Sequence, residues 1–254
     1  MRGAIGLSDF LAGSGPEKAA VLADLDGCLI SGGQLLPYAT HLLSRCSDRL
    51  WIVSNNSSDT AETLSARLGL MGFPLRASQI VLAGEETVRR AAQERPGQRI
   101  AVHAAEPLCE LARQLGLITD HFNPDAAIIA RDPAFCFASL TRLAAQVARG
   151  LPLVATNPDL NHPDPDGHPV PETGALLAAL RAVVPGLAIS TIGKPSPDLL
   201  HLALARAEVA PSDAIFIGDT PETDGVAARA ARVEFVLLRR PSFLPHKTLE
   251  AQSC

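Results

Sequence analysis

At 254 residues, the chain is long enough for one large or two smaller domains, and its 47% apolar content is typical of a globular protein with a buried core. Its 22 basic and 27 acidic residues give a net charge of −5, which argues against nucleic acid or an anionic membrane as the main partner. The sequence has no signal-peptide pattern, and no apolar run approaches the roughly 20 residues of a membrane span. Irregularly spaced cysteines favour free thiols and a cytoplasmic protein, and they are Cys28, Cys46, Cys109, Cys136 and Cys254.

Short apolar runs alternate with segments of helical periodicity along the chain. In its first and last parts, this pattern predicts strands at 21–23, 50–53, 188–192, 214–217 and 234–238, and helices at 38–46, 60–70, 197–207 and 223–231. In the middle it predicts strands at 100–103, 126–130 and 153–155, and helices at 88–93, 108–115 and 139–149. Such alternation is typical of parallel sheets covered by helices on both faces, so we expect an α/β fold.

The segment NPDLNHPDPDGHPVPET, residues 157–173, is rich in proline, aspartate and glycine and is predicted to be a loop. A solvated surface loop is the simplest interpretation. The segment is longer than most connections between elements, which favours a functional role.

The first cluster of polar residues, Asp24-Leu25-Asp26-Gly27, follows directly on the apolar run 21–23. Burying a carboxylate at the end of a core strand is costly without a partner, and a second like charge adds to the cost. Side chains i and i+2 of a strand face the same side, so Asp24 and Asp26 could act on one centre. A hard cation such as Mg²⁺ would offset their repulsion. The alternative is an acidic turn that caps the next element.

Three further clusters also follow predicted strands, where ligands of parallel sheets bind. Ser54-Asn55-Asn56 offers a hydroxyl and amides to an anion, or else forms an ordinary helix N-cap. Lys194, within Gly193–Pro197, supplies a fixed cation, or else is a solvated lysine in a proline-rich turn. Asp219, with Asp224 five residues later, supplies acids for a metal site, or else caps a helix.

Together, in this order, the four clusters resemble the motifs of the haloacid dehalogenase (HAD) superfamily of phosphatases. The D-x-D-G motif is matched by 24–27, the serine motif by Ser54, the lysine motif by Lys194 and the final acidic motif by Asp219 with Asp224. The chain also resembles the NagD-type, p-nitrophenyl-phosphatase-like branch. That branch shows Ser/Thr-Asn-Asn, T-N-P-D and G-K-P-S-P, matched here by 54–56, 156–159 and 193–197.

The resemblance implies a Rossmann-like parallel-sheet core with an inserted α/β cap domain. The core would comprise 1–79 and 187–254, and the cap would comprise 80–186 and govern substrate specificity. Caps in this branch often take part in dimers, so a homodimer is one of the expected assemblies.

The resemblance also implies roles for individual residues. Asp24 would attack phosphorus and form an aspartyl-phosphate, while Asp26 would move protons. The implied Mg²⁺ ligands are Asp24, the backbone carbonyl of Asp26, and Asp219, with Asp224 orienting the metal's water or its neighbours. The implied phosphate-binding residues are Ser54, Asn55, Lys194 and Gly27.

The identity of the substrate would depend on the cap. Asn157, Asp159, His162 and Glu172 lie in or beside the predicted loop and are candidates to face the leaving group, although solvated loop positions are the alternative. The expected activity is Mg²⁺-dependent hydrolysis of a small phosphomonoester, of the sugar, polyol, glycolate, nucleotide or p-nitrophenyl phosphate type. The alternatives are a phosphoryl transferase such as a phosphomutase on the same core, and a catalytically silent regulatory binding protein.

One position departs from the family pattern. Cys28 stands where many relatives carry threonine or valine. A thiol beside the nucleophile would be sensitive to oxidation only if its pKa were lowered.

Overall fold

The computed structural model describes residues 3–164 and 168–239, so Cys254 lies outside the described residues. The strands are β1 (Ala20–Ala23), β2 (Ile30–Ser31), β3 (Gln34–Leu35), β4 (Leu50–Ser54), β5 (Ile80–Leu82), β6 (Arg99–His103), β7 (Ile118–Thr119), β8 (Ala126–Ile129), β9 (Leu153–Ala155), β10 (Asn161–Pro163), β11 (Pro169–Pro171), β12 (Ser190–Thr191), β13 (Ala214–Gly218) and β14 (Glu234–Leu237). The α-helices are α1 (Leu7–Ala12), α2 (Ala39–Cys46), α3 (Ala61–Leu70), α4 (Ala83–Glu94), α5 (Glu106–Gln114), α6 (Phe137–Val147), α7 (Thr173–Val183), α8 (Asp198–Ala207) and α9 (Val226–Ala231).

Two five-stranded sheets organise the chain, and the predicted α/β fold is confirmed. The first has the order β14-β13-β1-β4-β5 and the second the order β12-β9-β8-β6-β7. Every pairing within both sheets is parallel. Two short antiparallel hairpins, β2–β3 and β10–β11, accompany them.

The first sheet is apolar on both faces, which explains its continuous apolar strands. In β1, Val21 and Ala23 pack toward α2 and α3, whereas Ala20 and Leu22 pack toward α8 and α9. All four residues of β1 are buried. A parallel sheet covered on both faces requires this composition, and the period-2 pattern of half-buried strands is therefore absent from β1.

The second sheet follows the same rule with different helices. Ile100 and Ile128 pack against α4 and α5, and Ala101 and Ile129 pack against α6 and α7. Helices on both faces leave the carboxyl ends of the strands as the place where loops and polar side chains gather.

The predicted strand at 188–192 differs from the structure. Only Ser190 and Thr191 form a strand, β12, and it pairs with β9 of the second sheet. Ile192, by contrast, packs with the core of the first sheet. Lys194 thus follows a strand of the second sheet, at the point where the chain returns to the first.

Sheet membership suggests where the chain divides. β5 belongs to the first sheet, although the predicted boundary falls before it. We propose that the domain boundaries lie where the chain passes between the sheets, after Leu82 and after Thr191, rather than at 79/80 and 186/187.

The segment 157–173 is more ordered than a loop. It contains the β10–β11 hairpin and ends at the first residue of α7. The prolines of the hairpin stand at the ends of two-stranded ribbon strands, where a missing N–H is tolerated. The high proline content therefore predicted an irregular loop where a short hairpin forms.

Within the described ranges, the helices are all too short or too polar to cross a membrane.

His103, at the end of β6, should make stability depend on pH. It is 4% exposed and packs against the rings of His121 and Phe135, and burial, with His121 and Arg142 adding to it, lowers its pKa to about 4. The unfolded chain takes up this proton near pH 6.5, so stability present above pH 6.5 is lost as the pH falls toward 4. The expected loss is about 3 kcal/mol.

Urea denaturation of the wild type and His103→Phe at pH 7, 5.5 and 4.5 tests this expectation. The variant should lose less stability over this range than the wild type. His201→Gln, a change at an exposed position of α8, is the matched control. Equal pH slopes for wild type and His103→Phe would rule out the assignment.

Candidate active site

The site forms where β1 and β13 end side by side. Ala23 of β1 is in register with Ile217 of β13, and the Asp24 N–H donates to the Ile217 carbonyl at 2.9 Å. Asp24 and Asp219 therefore leave neighbouring strands at the same edge of the sheet. Both are at most 9% exposed.

Lys194 reaches this edge and is the cation of the site. Its Nζ lies 2.6 Å from Asp24 Oδ1 and 2.7 Å from Asp224 Oδ1, and the residue is 2% exposed. Burial alone would lower the pKa of Lys194, but Asp224 and Asp24 outweigh it, so the pKa is raised above its ordinary value. The lysine is therefore a permanent positive charge.

Asp224 holds the backbone of this region. Its Oδ2 accepts from the N–H groups of Asp219 and Thr220, both at 3.1 Å. The Thr220 hydroxyl donates to Asp219 Oδ1 at 3.0 Å. Asp224 thus fixes the loop that presents Asp219, and its role in orienting the metal's water stays a prediction.

Three carboxylates surround one lysine, which leaves a negative excess. Among the described residues, one carboxylate oxygen each from Asp24, Asp219 and Asp224 lie within 4.8 Å of one another. The pKa of Asp24 is raised well above its ordinary value, chiefly by burial and further by Asp224 and Asp219, although Lys194 opposes the shift. Carboxylate oxygens are the ligands that Mg²⁺ prefers, and a divalent cation would balance the excess, so the donor set fits that ion.

Asp26 does not share the carboxylate cluster with Asp24. β1 ends at Ala23, so the strand periodicity that placed the two side chains on one centre does not extend to Asp26. The Asp26 side chain is open to solvent within a cleft crowded by protein, and the resulting desolvation raises its pKa, although Arg67, His162 and Lys194 oppose the rise. The two acids therefore occupy different environments, which suits different roles.

The predicted phosphate-binding residues divide into two groups. Ser54 is buried at the end of β4, and its Oγ accepts the Asn56 N–H at 3.1 Å, which leaves the hydroxyl proton to donate. Gly27 has a φ of 79°, and its N–H is engaged with the Ile30 carbonyl at 2.7 Å. The Asn55 side chain bonds to the Lys194 backbone through both of its polar atoms. Phosphate binding by Gly27 and by the Asn55 side chain remains a prediction, and it would require breaking these bonds.

The residues predicted to face the leaving group differ in their burial and in their hydrogen-bond partners. Asn157 is fully buried, and its amide donates to the Asn55 carbonyl at 2.8 Å, so a substrate contact is not supported. Asp159 is partly buried and accepts from Asn55 Nδ2 at 3.0 Å. His162 and Glu172 pair with each other, Nδ1 to Oε1 at 2.7 Å, on the β10–β11 hairpin and at its end.

Comparison with known proteins agrees with this geometry. The family profile described as haloacid dehalogenase-like hydrolase matches residues 21–118, and one described as HAD-hydrolase-like matches residues 191–252. Chronophin from Rattus norvegicus is 32% identical over 223 residues, which cover 82% of this chain and 72% of that protein. The chain belongs to the haloacid dehalogenase-like hydrolases.

Solved structures place it within the family. The glycerol phosphate phosphatase of Mycobacterium tuberculosis, solved with magnesium, is 28% identical with a TM-score of 0.80, covering 89% of this chain and 70% of that one. NagD from Escherichia coli K-12 is 25% identical with a TM-score of 0.77, covering 87% of each chain. The chain is thus a HAD phosphatase of the NagD and p-nitrophenyl phosphatase branch, as its motifs predict.

Arg131 of this HAD phosphatase contacts Glu172, one of the predicted substrate-facing residues, and the sequence motifs did not single it out. It follows β8, and its Nε lies 3.5 Å from Glu172 Oε1 while Nη1 donates to the Ser58 hydroxyl at 3.3 Å. Burial raises the pKa of Glu172, and contacts with His162 and Arg131 oppose the rise. The signal was present: the apolar run IIA ends in a cation, just as the strands of the first sheet end in polar residues.

Cys28 is a buried thiol in this family member. It is 4% exposed, with its Sγ 3.9 Å from the Ile217 carbonyl. Burial, reinforced by Asp24, Asp219 and Asp224, raises the pKa of the thiol well above its ordinary value. The lowered pKa that oxidation sensitivity requires is therefore not supported.

Gly218→Ala is expected to reduce turnover about a hundredfold, because small displacements of catalytic groups cost that much. A Cβ at Gly218 would overlap Asp224 Oδ2, so the Asp224 carboxylate, which bonds Lys194 and the Asp219 loop, would have to move. The measurement is kcat together with the Mg²⁺ concentration that gives half-maximal rate.

Gly69→Ala provides the matched control for this substitution. A Cβ at Gly69, within α3, meets nothing within 4 Å, so the rate should stay at the wild-type value. If Gly218→Ala were as active as Gly69→Ala, the close approach at Asp224 would not matter for catalysis.

Proposed function

We propose that this HAD phosphatase hydrolyses a small hydroxylated phosphomonoester with Mg²⁺ through an aspartyl-phosphate on Asp24. The observation that carries the proposal is the position of Asp24, which Lys194 holds at 2.6 Å beside the carboxylates of Asp219 and Asp224. A nucleophilic carboxylate can attack a phosphate anion only where positive charge offsets their repulsion.

Asp24 attacks phosphorus in the first step. One of its carboxylate oxygens bonds to phosphorus as the bond to the leaving-group oxygen breaks. Asp26 gives its proton to that leaving oxygen, and its raised pKa favours the protonated form that a general acid needs. The Ser54 hydroxyl and the third N–H of Lys194 donate to the phosphoryl oxygens.

Water reverses the roles in the second step. Asp26, now a carboxylate, takes a proton from a water molecule whose oxygen attacks phosphorus. The bond between phosphorus and Asp24 breaks, inorganic phosphate leaves, and both aspartates return to their starting states. Asp26 thus serves first as acid and then as base.

A defined set of oxygen atoms would bind the metal ion. Asp24, Asp219 and the Asp26 backbone carbonyl would hold Mg²⁺, with Asp224 fixing the Asp219 loop behind them. When bound, the ion supplies positive charge to the phosphoryl oxygens.

Polar side chains outside the first sheet support the proposed substrate class, a small hydroxylated phosphomonoester. We propose that the second sheet forms a cap domain over the site and that His162 faces the leaving group. Glu172 accepts from His162 Nδ1, which leaves Nε2 as an acceptor for a hydroxyl. Arg131 adds a donor beside them. Polar groups of this kind favour a polyol leaving group, in line with the glycerol phosphate phosphatase that the chain resembles.

Phosphate release from a panel of phosphomonoesters tests the function. With Mg²⁺, we expect release from glycerol phosphates and triose phosphates to exceed release from nucleotides. EDTA should abolish release, and excess Mg²⁺ should restore it. If no ester in the panel yields phosphate, the proposal is wrong. Transfer of the phosphoryl group to a second sugar phosphate, without phosphate release, would favour the phosphomutase alternative.

A further inference from the structure

The Asn55 side chain makes three hydrogen bonds, which use both of its donor protons. Its Oδ1 accepts the Lys194 N–H at 2.7 Å, and its Nδ2 donates to the Lys194 carbonyl at 2.9 Å. The second Nδ2 proton goes to Asp159 Oδ2 at 3.0 Å. A carboxamide has two donor protons, and both are used here. The Asn55 side chain therefore binds both the N–H and the carbonyl of Lys194.

Asp159 and its neighbours make further hydrogen bonds that hold Asn55 and the residue before Lys194. Asn157 Nδ2 donates to the Asn55 carbonyl at 2.8 Å, and Asn157 Oδ1 accepts the Asp159 N–H at 3.0 Å. The Gly193 N–H donates to the Thr156 carbonyl at 2.8 Å. The turn after β9 therefore bonds both to the backbone of Asn55 and to Gly193, the residue before Lys194.

The residues around Gly193 and Gly174 also leave no room for a side chain at either glycine. A Cβ at Gly193 would lie 2.6 Å from the Thr156 carbonyl oxygen and 2.8 Å from Asn55 Oδ1. A Cβ at Gly174, at the start of α7, would lie 2.6 Å from the Asp159 carbonyl oxygen, which also accepts the Gly174 N–H at 2.7 Å. Backbone packs directly on backbone here, so the backbone of Asp159 is held in place beside Asn55.

We propose that Asp159 is a positioning residue for Lys194, acting through the Asn55 amide, and that it does not contact substrate. The chain of bonds runs from the Asp159 carboxylate to the Asn55 amide and on to the Lys194 backbone, whose side chain reaches Asp24. A charged acceptor polarises the Asn55 amide and strengthens its bonds to Lys194. This inference rests on the proposed function, because Lys194 is taken as the cation that serves the phosphoryl group.

Asp159→Ala tests the inference by a split between kcat and KM. Loss of a charge-assisted hydrogen bond behind Lys194 should lower kcat about tenfold, with KM within about twofold. The reduction should be the same for glycerol phosphate and for p-nitrophenyl phosphate, because a positioning defect acts on the phosphoryl end common to both. A substrate contact would instead raise KM and act on the hydroxylated ester alone.

Two further variants separate positioning from general damage. Asp159→Asn keeps an acceptor for the Asn55 amide and should recover kcat to within about threefold of wild type. In Asn55→Ala the connection is already broken, so adding Asp159→Ala should cost little more, giving a non-additive cycle. Asp164→Ala, an acid of the same segment paired with His168, is the matched control and should leave kcat and KM unchanged.

The outcomes distinguish this inference from the proposed function. If the wild type releases no phosphate from any ester, the proposed function fails before Asp159 is tested. If the wild type is active, unchanged kcat in Asp159→Ala, additive losses in the cycle, or a KM effect confined to the hydroxylated ester would each overturn the inference. Should Asp159→Ala fail to fold, Asp159→Asn against Asn55→Ala gives the same comparison: equal losses in kcat would overturn it.

Discussion

Asp24→Asn is expected to reduce phosphate release about 10⁴-fold or more, the cost typical of removing a catalytic nucleophile. The substitution keeps the size of the side chain and removes the attacking oxygen. It also removes one negative charge from a buried cluster of three carboxylates and one lysine, so the fold should survive. Lys194 retains Asp224 as a partner at 2.7 Å.

The measurement is phosphate release under saturating Mg²⁺ with the best ester of the panel. Asp125→Asn, which changes an exposed carboxylate paired with Arg99 in the second sheet, is the matched control and should match the wild type. Residual activity within tenfold of wild type for Asp24→Asn would show that another group attacks phosphorus.

Lys194→Met is expected to lower kcat about 10³-fold, since one preorganised charge at a phosphoryl site is worth that much. Three buried carboxylates would then lie without their cation. Repulsion should raise the pKa of Asp24 further, which converts the nucleophile to its protonated, unreactive form. The variant should also melt at a lower temperature than wild type in the absence of a metal.

A divalent cation should compensate for part of this loss. Because the cluster is one charge more negative without the lysine, Mg²⁺ should raise the melting temperature of Lys194→Met by more than it raises that of the wild type. Lys18→Met is the control, since Lys18 precedes β1, at the opposite end of that strand from Asp24, and pairs with the exposed Glu234 at 3.2 Å. A Lys194→Met protein with kcat within tenfold of wild type would contradict the assigned role.

The order of the polar clusters was enough to predict the family and the acids of the site. Asp24 and Asp219 each follow a run of residues that is apolar at every position, and such runs form interior strands of a parallel sheet. Carboxyl ends of parallel strands in one sheet meet at one edge, so acids that follow two such strands are expected at that edge, and the pairing of β1 with β13 brings them together. A strand buried on both faces is apolar at every position. The composition of a short run is therefore enough to identify such a strand.

Local composition could not show which sheet a strand joins. The run 188–192 is apolar enough for a strand, yet β12 consists of two residues at the edge of the second sheet. Sheet membership depends on the partner strand β9, which lies more than 30 residues earlier. Similarly, β1 ends at Ala23, so strand periodicity alone does not fix where the Asp26 side chain lies relative to Asp24.

The sequence by itself therefore determined the fold class, the family and the identity of Asp24, Lys194 and Asp219 as the charged centre. Only the tertiary structure decided which partners Asn55, Asp159 and Arg131 have. Asn55 lies 104 residues from Asp159 and 139 from Lys194 along the chain, and a carboxamide suits an anion, a helix cap or a backbone clamp equally well. The role of such a polar side chain depends on the partners that folding brings within about 3 Å of it. Sequence spacing does not encode those partners.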